Sequence, residues 1–548
     1  MRRKRILAII LALVLSLSLS ITASAATLSD MLQPNDGIKN IIVMVPDGMS
    51  IANLTLTRWY NAYDEATGKI DPDCKMALDE MASGLVRNWW IAPDGTIGAI
   101  TDSAPAATAM GTGVKSNNKF LGVDENSVPV ASILEAAKLA GKSTGVVATS
   151  QVMHATPAGW TSHYPDRSQE EIIAEQQVYN NVDVVFGAGW NRLAGRADNE
   201  NLISVLKSGG YNYVTTAEQL EGLTGKTWGM FASASNSAMR YEMDRLELKP
   251  EEPSLAEMTT AALNILSQNP NGFYVMIEGS KVDWANHAND PIGVISDVNA
   301  FDDAVRVALD FAKSDGQTMV IAVTDHGCGG ITIGDDGTSV GYDSAPVTRF
   351  IEPLYKAKLT GEGIEDKFDE DRTNIVEVMS EWYGIDDLTE DEIAEIKEYP
   401  AGSMNYCVGP MISKRANIGW TTTGHTGEDL ILFTYLPGDD RITGTIDNTD
   451  LANIAAAVWG IDLGEVSKQL YNDAEAAFKA NGAAVEINKD NPNNPVMIVT
   501  KGSTTMTIPE SKNYVILNGD IIESMGVNVY IRTTEKFYIA QNIIELIP

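Results

Sequence analysis

Five short runs in this chain are almost wholly apolar, at residues 41–45, 144–148, 182–186, 273–277 and 319–323. Between them lie segments with apolar residues at helical spacing, such as 130–140 and 297–313. A strand that is apolar on both faces must be covered on both faces, and helices placed between such strands supply that cover. The pattern predicts an α/β fold with a large, mostly parallel central sheet and helices on both faces. Polar residues come directly after these runs: Asp47, His154, Glu278, then Asp325 and His326. Ligand sites in open α/β sheets lie beyond the carboxyl ends of the strands, so these side chains are expected to share one site.

The chain begins with a targeting pattern. Arg2, Arg3, Lys4 and Arg5 precede an apolar run that ends near Ile21, and Ala23-Ser24-Ala25 supplies small residues for cleavage before Ala26. No later apolar stretch reaches the roughly 18 residues of a membrane span. Export without a transmembrane anchor is therefore expected, to the exterior or to the cell envelope (the periplasm where there is an outer membrane). Loss of the four basic leader residues moves the formal charge from −34 to −38. So acidic a protein repels polyanions, which disfavours nucleic-acid binding; an anionic substrate must be drawn in by local positive charge from metals or arginine. Cys74, Cys328 and Cys407 are too few and too scattered for a disulfide framework or a Cys-x-x-Cys metal site.

Residues 26–487 are expected to form the catalytic domain, interrupted at about 341–415 by a surface insertion of charged helices, including 374–383 and 389–398. The turn-rich stretch 488–495 reads as a linker, and 496–548 as a small β-rich module with short strands at 496–499, 505–508, 514–517, 527–531 and 537–540.

Histidine is scarce, at five residues, and His154, His287, His326 and His425 lie beside carboxylates, glycines or strand ends, whereas His163 reads as structural. If 283–287 is one helical turn, Asp283 and His287 share a face and can hold one cation, and imidazole with carboxylate is zinc-like chemistry. Asp325-His326 offers two further donors, and Gly424-His425-Thr426-Gly427 puts a third imidazole on a flexible loop. Asp47 in Pro-Asp-Gly can be a ligand or a simple turn residue. Ser103 at an expected helix start can be an N-cap, or a hydroxyl exposed where phosphate is favoured. Arg167, which follows His154-Ala-Thr156-Pro-Ala, carries a planar fork suited to two phosphate oxygens.

Taken together, the Thr101-Asp-Ser103-Ala motif, the Thr156-Pro-Ala segment with Arg167, the Glu278…Asp283…His287 block, the Asp325-His326 pair and Gly424-His425-Thr-Gly resemble the alkaline phosphatase family over about 40–460. The resemblance implies hydrolysis of phosphate monoesters through a phosphoserine on Ser103, for extracellular phosphate scavenging, with Arg167 clamping the phosphate. It implies zinc held by Asp283, His287 and His425, and a second zinc held by Asp47, Asp325 and His326. A third site, usually magnesium, would use Glu278, Thr156 and the bridging Asp47. Here the chain has His154 and Trp284 where one common variant has Asp and Lys, which leaves the third metal open among magnesium, cobalt and zinc. It also leaves open whether His154 binds that metal directly or through water.

The family is commonly dimeric, so a homodimer is expected, and the C-terminal module suggests cell-wall association. Two alternatives stand beside this reading: a phosphodiesterase of the same superfamily, and a non-catalytic surface protein that binds phosphate or metal. A sulfatase is disfavoured because Ser103-Ala-Pro-Ala-Ala107 lacks the arginine of the sulfatase signature.

Overall fold

The computed structural model describes residues 25–26, 34–35, 37–232, 238–438 and 441–547, so the leader segment 1–24 lies outside the described residues. All five apolar runs form strands: Asn40–Pro46, Ser143–Gln151, Val184–Ala188, Phe273–Gly279 and Thr318–Val323. They lie side by side and parallel in a ten-stranded sheet, with Asn40–Pro46 between Phe273–Gly279 and Thr318–Val323. Asn212–Val214 and Thr227–Met230 extend one edge in the same direction. At the other edge Leu430–Tyr435 runs antiparallel to both Thr318–Val323 and Ala82–Arg87, and Thr445–Asp447 follows parallel to Ala82–Arg87.

Successive side chains on a strand point to opposite faces, and the core divides accordingly. Ile41, Val43 and Val45 join one apolar cluster, whereas Ile42 and Met44 join another. Each such side chain, fully removed from water, contributes about 1.5–3 kcal/mol, which explains why these runs are apolar throughout.

The longest helix, Pro291–Asp315, has its start and stop written in the sequence. Asp290 is the N-cap, Pro291 occupies the first turn, and Gly316 ends the helix in the left-handed region at φ +69°. Asp290 also accepts hydrogen bonds from the Gly361 amide and the Tyr383 hydroxyl, each at 3.0 Å. These bonds fasten the inserted region to the body. Its helices Thr348–Tyr355, Ile375–Trp382, Glu390–Glu398 and Met404–Arg415 pack around a third apolar cluster, which includes Ile292 and Ile295 of the long helix.

The C-terminal strands form two antiparallel sheets. Of residues 488–495, read from sequence as a linker, Asn488 ends a strand and 489–495 are the turn of a hairpin in which Ala484–Asn488 pairs with Val496–Lys501. Asn, Asp and Pro dominate linkers and turns alike, so composition does not separate the two. The C-terminal unit is also tied to the catalytic body. Lys512 forms ion pairs with Glu175 and Glu200, and the Asn493 side chain donates to the Ala197 carbonyl at 3.1 Å.

Burial pushes the Glu175 carboxyl up to about 7, against the pull of Lys512 and Arg196. Removing one partner of a buried ion pair costs about 3 kcal/mol. Lys512→Ala should therefore lower stability by about that amount, read by chemical denaturation; a variant as stable as the parent would show that this contact does not hold the C-terminal unit.

Candidate active site

Parallel strands bring their carboxyl ends to one edge of the sheet, and the polar residues named above gather there. Asp47 directly follows Asn40–Pro46, Glu278 is the penultimate residue of Phe273–Gly279, and Asp325 lies two residues beyond Thr318–Val323. All three are fully buried. The turn after Asp47 requires glycine: Gly48 has φ +71°, and a Cβ there would lie 2.7 Å from Asp283 Oδ1. Its amide donates to Asp325 Oδ1 at 3.2 Å.

Asp283 and His287 lie one turn apart on the helix Lys281–His287, with His287 Nε2 3.3 Å from Asp283 Oδ2. His425 arrives from the segment that leads into the antiparallel strand Leu430–Tyr435. Its Nε2 lies 3.2 Å from His287 Nε2 and 3.7 Å from Asp283 Oδ1. The other nitrogen of each ring faces a backbone carbonyl: His287 Nδ1 at 2.6 Å from Thr423 O, and His425 Nδ1 at 2.8 Å from Thr101 O. A proton on Nδ1 satisfies each contact and leaves Nε2 free to bind a cation.

A second group lies beside the first. His326 Nε2 is 3.1 Å from Asp325 Oδ2, 3.6 Å from Asp47 Oδ1 and 3.1 Å from Ser103 Oγ. Ser103 opens the helix Ser103–Thr112, whose N-cap, Asp102, accepts from the Ala104 amide at 3.3 Å. The same carboxylate takes the Arg167 guanidinium at 2.5 Å, and Arg167 Nη2 donates to His154 Nε2 at 2.9 Å. Arg167 is thereby held at the wall of the cavity that contains Ser103.

Asp47, His154 and Glu278 form a third group, and the Thr156 hydroxyl donates to Asp47 Oδ2 at 3.3 Å. His154 is constrained here by its bond to Arg167. Burial and the arginine charge hold its imidazole down at about 3, so it is neutral.

The donor set fits divalent cations on this structure's own terms. Asp47 Oδ1, Asp283 Oδ1, Asp325 Oδ2 and both Glu278 oxygens are buried without a hydrogen-bond partner. Burial and neighbouring carboxylates push Asp47 well above the ordinary range, and burial pushes Glu278 to about 8. Unpaired buried charges are costly unless they are protonated, paired or metal-bound, and His–Asp clusters at this spacing suit the last.

Every residue named from sequence for the three sites lies at this edge. His163 does not. It is buried elsewhere, with Nε2 3.0 Å from Glu135 and 2.7 Å from the Tyr471 hydroxyl.

Three neighbours escaped the sequence reading. Asp102 orients Arg167, and its position next to Ser103 was the available signal. Cys328 joins Asp283, His287 and His425, two residues past His326; burial, then Asp283, raises its thiol pKa. Tyr406, from the inserted region, lines the cavity mouth and carried no sequence signal. All three cysteines are unpaired.

A family model described as alkaline phosphatase matches residues 38–461. Alkaline phosphatase 4 of Bacillus subtilis (strain 168) is 37% identical over 428 residues, covering 76% of this chain and 88% of that protein. Among solved structures, the alkaline phosphatase of Thermus thermophilus aligns with a TM-score of 0.70 at 26% identity, over 81% of this chain and 95% of that one. Another, from the Antarctic bacterium TAB5, aligns with a TM-score of 0.55 at 25% identity over 78% of this chain and 99% of that one. It is a mutant with histidine replaced by aspartate and Mg bound in the M3 site.

A cation that binds only the folded chain stabilises it, by about 2.7 kcal/mol at one hundred times its Kd. Chelation should therefore lower the Tm by several degrees, and added Zn²⁺ should restore it. A Tm indifferent to chelator, in protein verified metal-free, would contradict the cation reading of these clusters.

Proposed function

The chain belongs to the alkaline phosphatase family and is a metal-dependent phosphomonoester hydrolase, and from that premise we propose that Ser103 is its nucleophile and Arg167 its phosphate clamp. The observation that carries the assignment is the placement of Ser103 Oγ 3.1 Å from His326 Nε2, at a helix start, in a cavity that Arg167 also lines. We further assign zinc to the group Asp283, His287 and His425 and to the group Asp47, Asp325 and His326, because mixed imidazole and carboxylate donors suit it. The third group, Asp47, Glu278 and Thr156, is rich in oxygen and suits Mg²⁺; His154 stands beside it and can give a nitrogen to the cation only on releasing its bond from Arg167.

When bound, the cations supply positive charge and Lewis acidity for the attacking and leaving oxygens of an in-line displacement. Arg167, oriented by Asp102, holds two non-bridging oxygens of the ester in its planar fork. Ser103 Oγ gives up its proton to solvent and forms a bond to phosphorus as the bond from phosphorus to the alcohol oxygen breaks, and the leaving alkoxide takes one proton from solvent. Amides at the start of the Ser103–Thr112 helix favour the anionic phosphoryl group. Water then attacks the phosphoserine, the Ser103–phosphorus bond breaks, and inorganic phosphate leaves. Two displacements give net retention at phosphorus.

The leader pattern in 1–25 supports export, in line with extracellular phosphate scavenging. No helix among the described residues is long and apolar enough to cross a membrane.

Ser103→Ala should lower kcat by at least about 10³-fold while phosphate still binds. Equal turnover by variant and parent would remove Ser103 from the chemistry, and inversion at a chiral phosphate would remove the covalent step. His154→Asp replaces a nitrogen donor with oxygen and should raise Mg²⁺ retention in the purified protein, read by metal analysis, in keeping with the magnesium-bound TAB5 mutant. Unchanged Mg²⁺ content would place His154 outside the third site.

A further inference from the structure

A second cavity, of about 590 Å³, lies against the active-site cavity of about 450 Å³, and the two share Trp284 and Tyr406 in their walls. We propose that this second cavity is the leaving-group subsite of the hydrolase, selective for phosphate monoesters whose alcohol is planar and carries no second anionic group. The proposal rests on the phosphatase reading above and adds to it the class of substrate.

The position follows from the ligand groups. Trp284 adjoins Asp283 in sequence, and Tyr406 lines the same cavity as Ser103, Asp283, His287 and His425. An ester whose phosphorus lies at Ser103 must direct its alcohol away from the serine for in-line attack. The walls available to that alcohol include these two rings.

Trp284 is half-buried, and the Lys281 ammonium lies 5.7 Å from its ring centroid. Lys281 is itself fixed, by Glu362 at 3.0 Å and by the Met239 carbonyl at 3.1 Å. Tyr406 is 43% exposed, so its ring can be reached by a flat partner. Two aromatic walls favour a flat partner by about 0.5–1.5 kcal/mol per stacked ring beyond simple burial.

Charge sets the second half of the selectivity. Both cations in this cavity are already paired: Arg240 with Asp366 at 2.6 Å, and Lys281 with Glu362. A third carboxylate, Glu365, faces the cavity as well and pairs with Arg372 at 3.2 Å. The cavity sets the three carboxylates Glu362, Glu365 and Asp366 against the two cations Arg240 and Lys281, so a second anionic group meets net negative charge, and the chain's overall negative charge adds repulsion.

Kinetics with adenosine 5′-monophosphate and glycerol phosphate, and inhibition by adenosine, test this. Tyr406→Ala should lower the ratio of kcat/KM for the nucleotide over glycerol phosphate about tenfold, while Tyr406→Phe keeps it within about twofold. Adenosine should inhibit the wild-type enzyme competitively, with a Ki about tenfold weaker in Tyr406→Ala. A ratio unmoved by Tyr406→Ala, or wild-type enzyme not inhibited by adenosine, would overturn the subsite; the second readout needs no variant.

Adenosine 3′,5′-bisphosphate should lose its 5′-phosphate about fivefold more slowly than the monophosphate at low salt, and equal rates would overturn the charge selectivity. Failure of the wild type to hydrolyse either monoester would count against the phosphatase reading instead of the subsite.

Discussion

Four carboxylates, those of Asp47, Glu278, Asp283 and Asp325, crowd together at the end of a sheet, three of them wholly buried and Asp283 nearly so. Like charges so placed repel one another and lack the solvation that would pay for their burial. Glu278 responds by holding its proton to about 8, and Asp47 is likewise driven up by burial and by its neighbours. A cation between them removes the need for those protons. His287 and His326 already hold Asp283 and Asp325 in the charged form, whereas the burial of Asp47 and Glu278 is compensated when the metals bind. Metal dependence in this enzyme is therefore a property of folding as much as of chemistry.

The sheet makes that gathering possible. Parallel neighbours deliver Asp47, Glu278 and Asp325 to one edge, and the antiparallel strand Leu430–Tyr435 starts where Thr318–Val323 ends, so the loop before it carries His425 to the same place. Backbone carbonyls of Thr101 and Thr423 then fix the imidazoles. Thr101 is two residues from Ser103, so the loop that presents the nucleophile also orients one of the ligands. A change in that loop acts on both at once.

Much of this was legible in the chain itself. An apolar run as short as 41–45, repeated between helical patterns, favours a strand covered on both faces, and the residue that follows such a strand emerges at the sheet edge. Asp47, Glu278, Asp325 and His326 were found in this way, and the spacing of Asp283 and His287 placed both on one helical face. Ala82–Arg87 was missed because its Gly84 and alternating exposure give no continuous apolar signal. Residues 488–495 misled because a tight turn and a flexible linker draw on the same amino acids. Tyr406 could not be found, because its place in the active-site cavity depends on how the inserted region docks against Asp290, through contacts from Gly361 and Tyr383 that lie 71 and 93 residues away along the chain.

Cations in the space between these side chains and Ser103 are what the chemistry requires. Anomalous diffraction at the zinc edge from crystals of the active enzyme tests that directly. Two peaks roughly 4 Å apart are expected, one among Asp283, His287 and His425 and the other among Asp47, Asp325 and His326, the latter within bonding distance of Ser103 Oγ. Crystals of fully active protein with no anomalous density at that edge of the sheet, or with zinc only at a distance from Ser103, would contradict it.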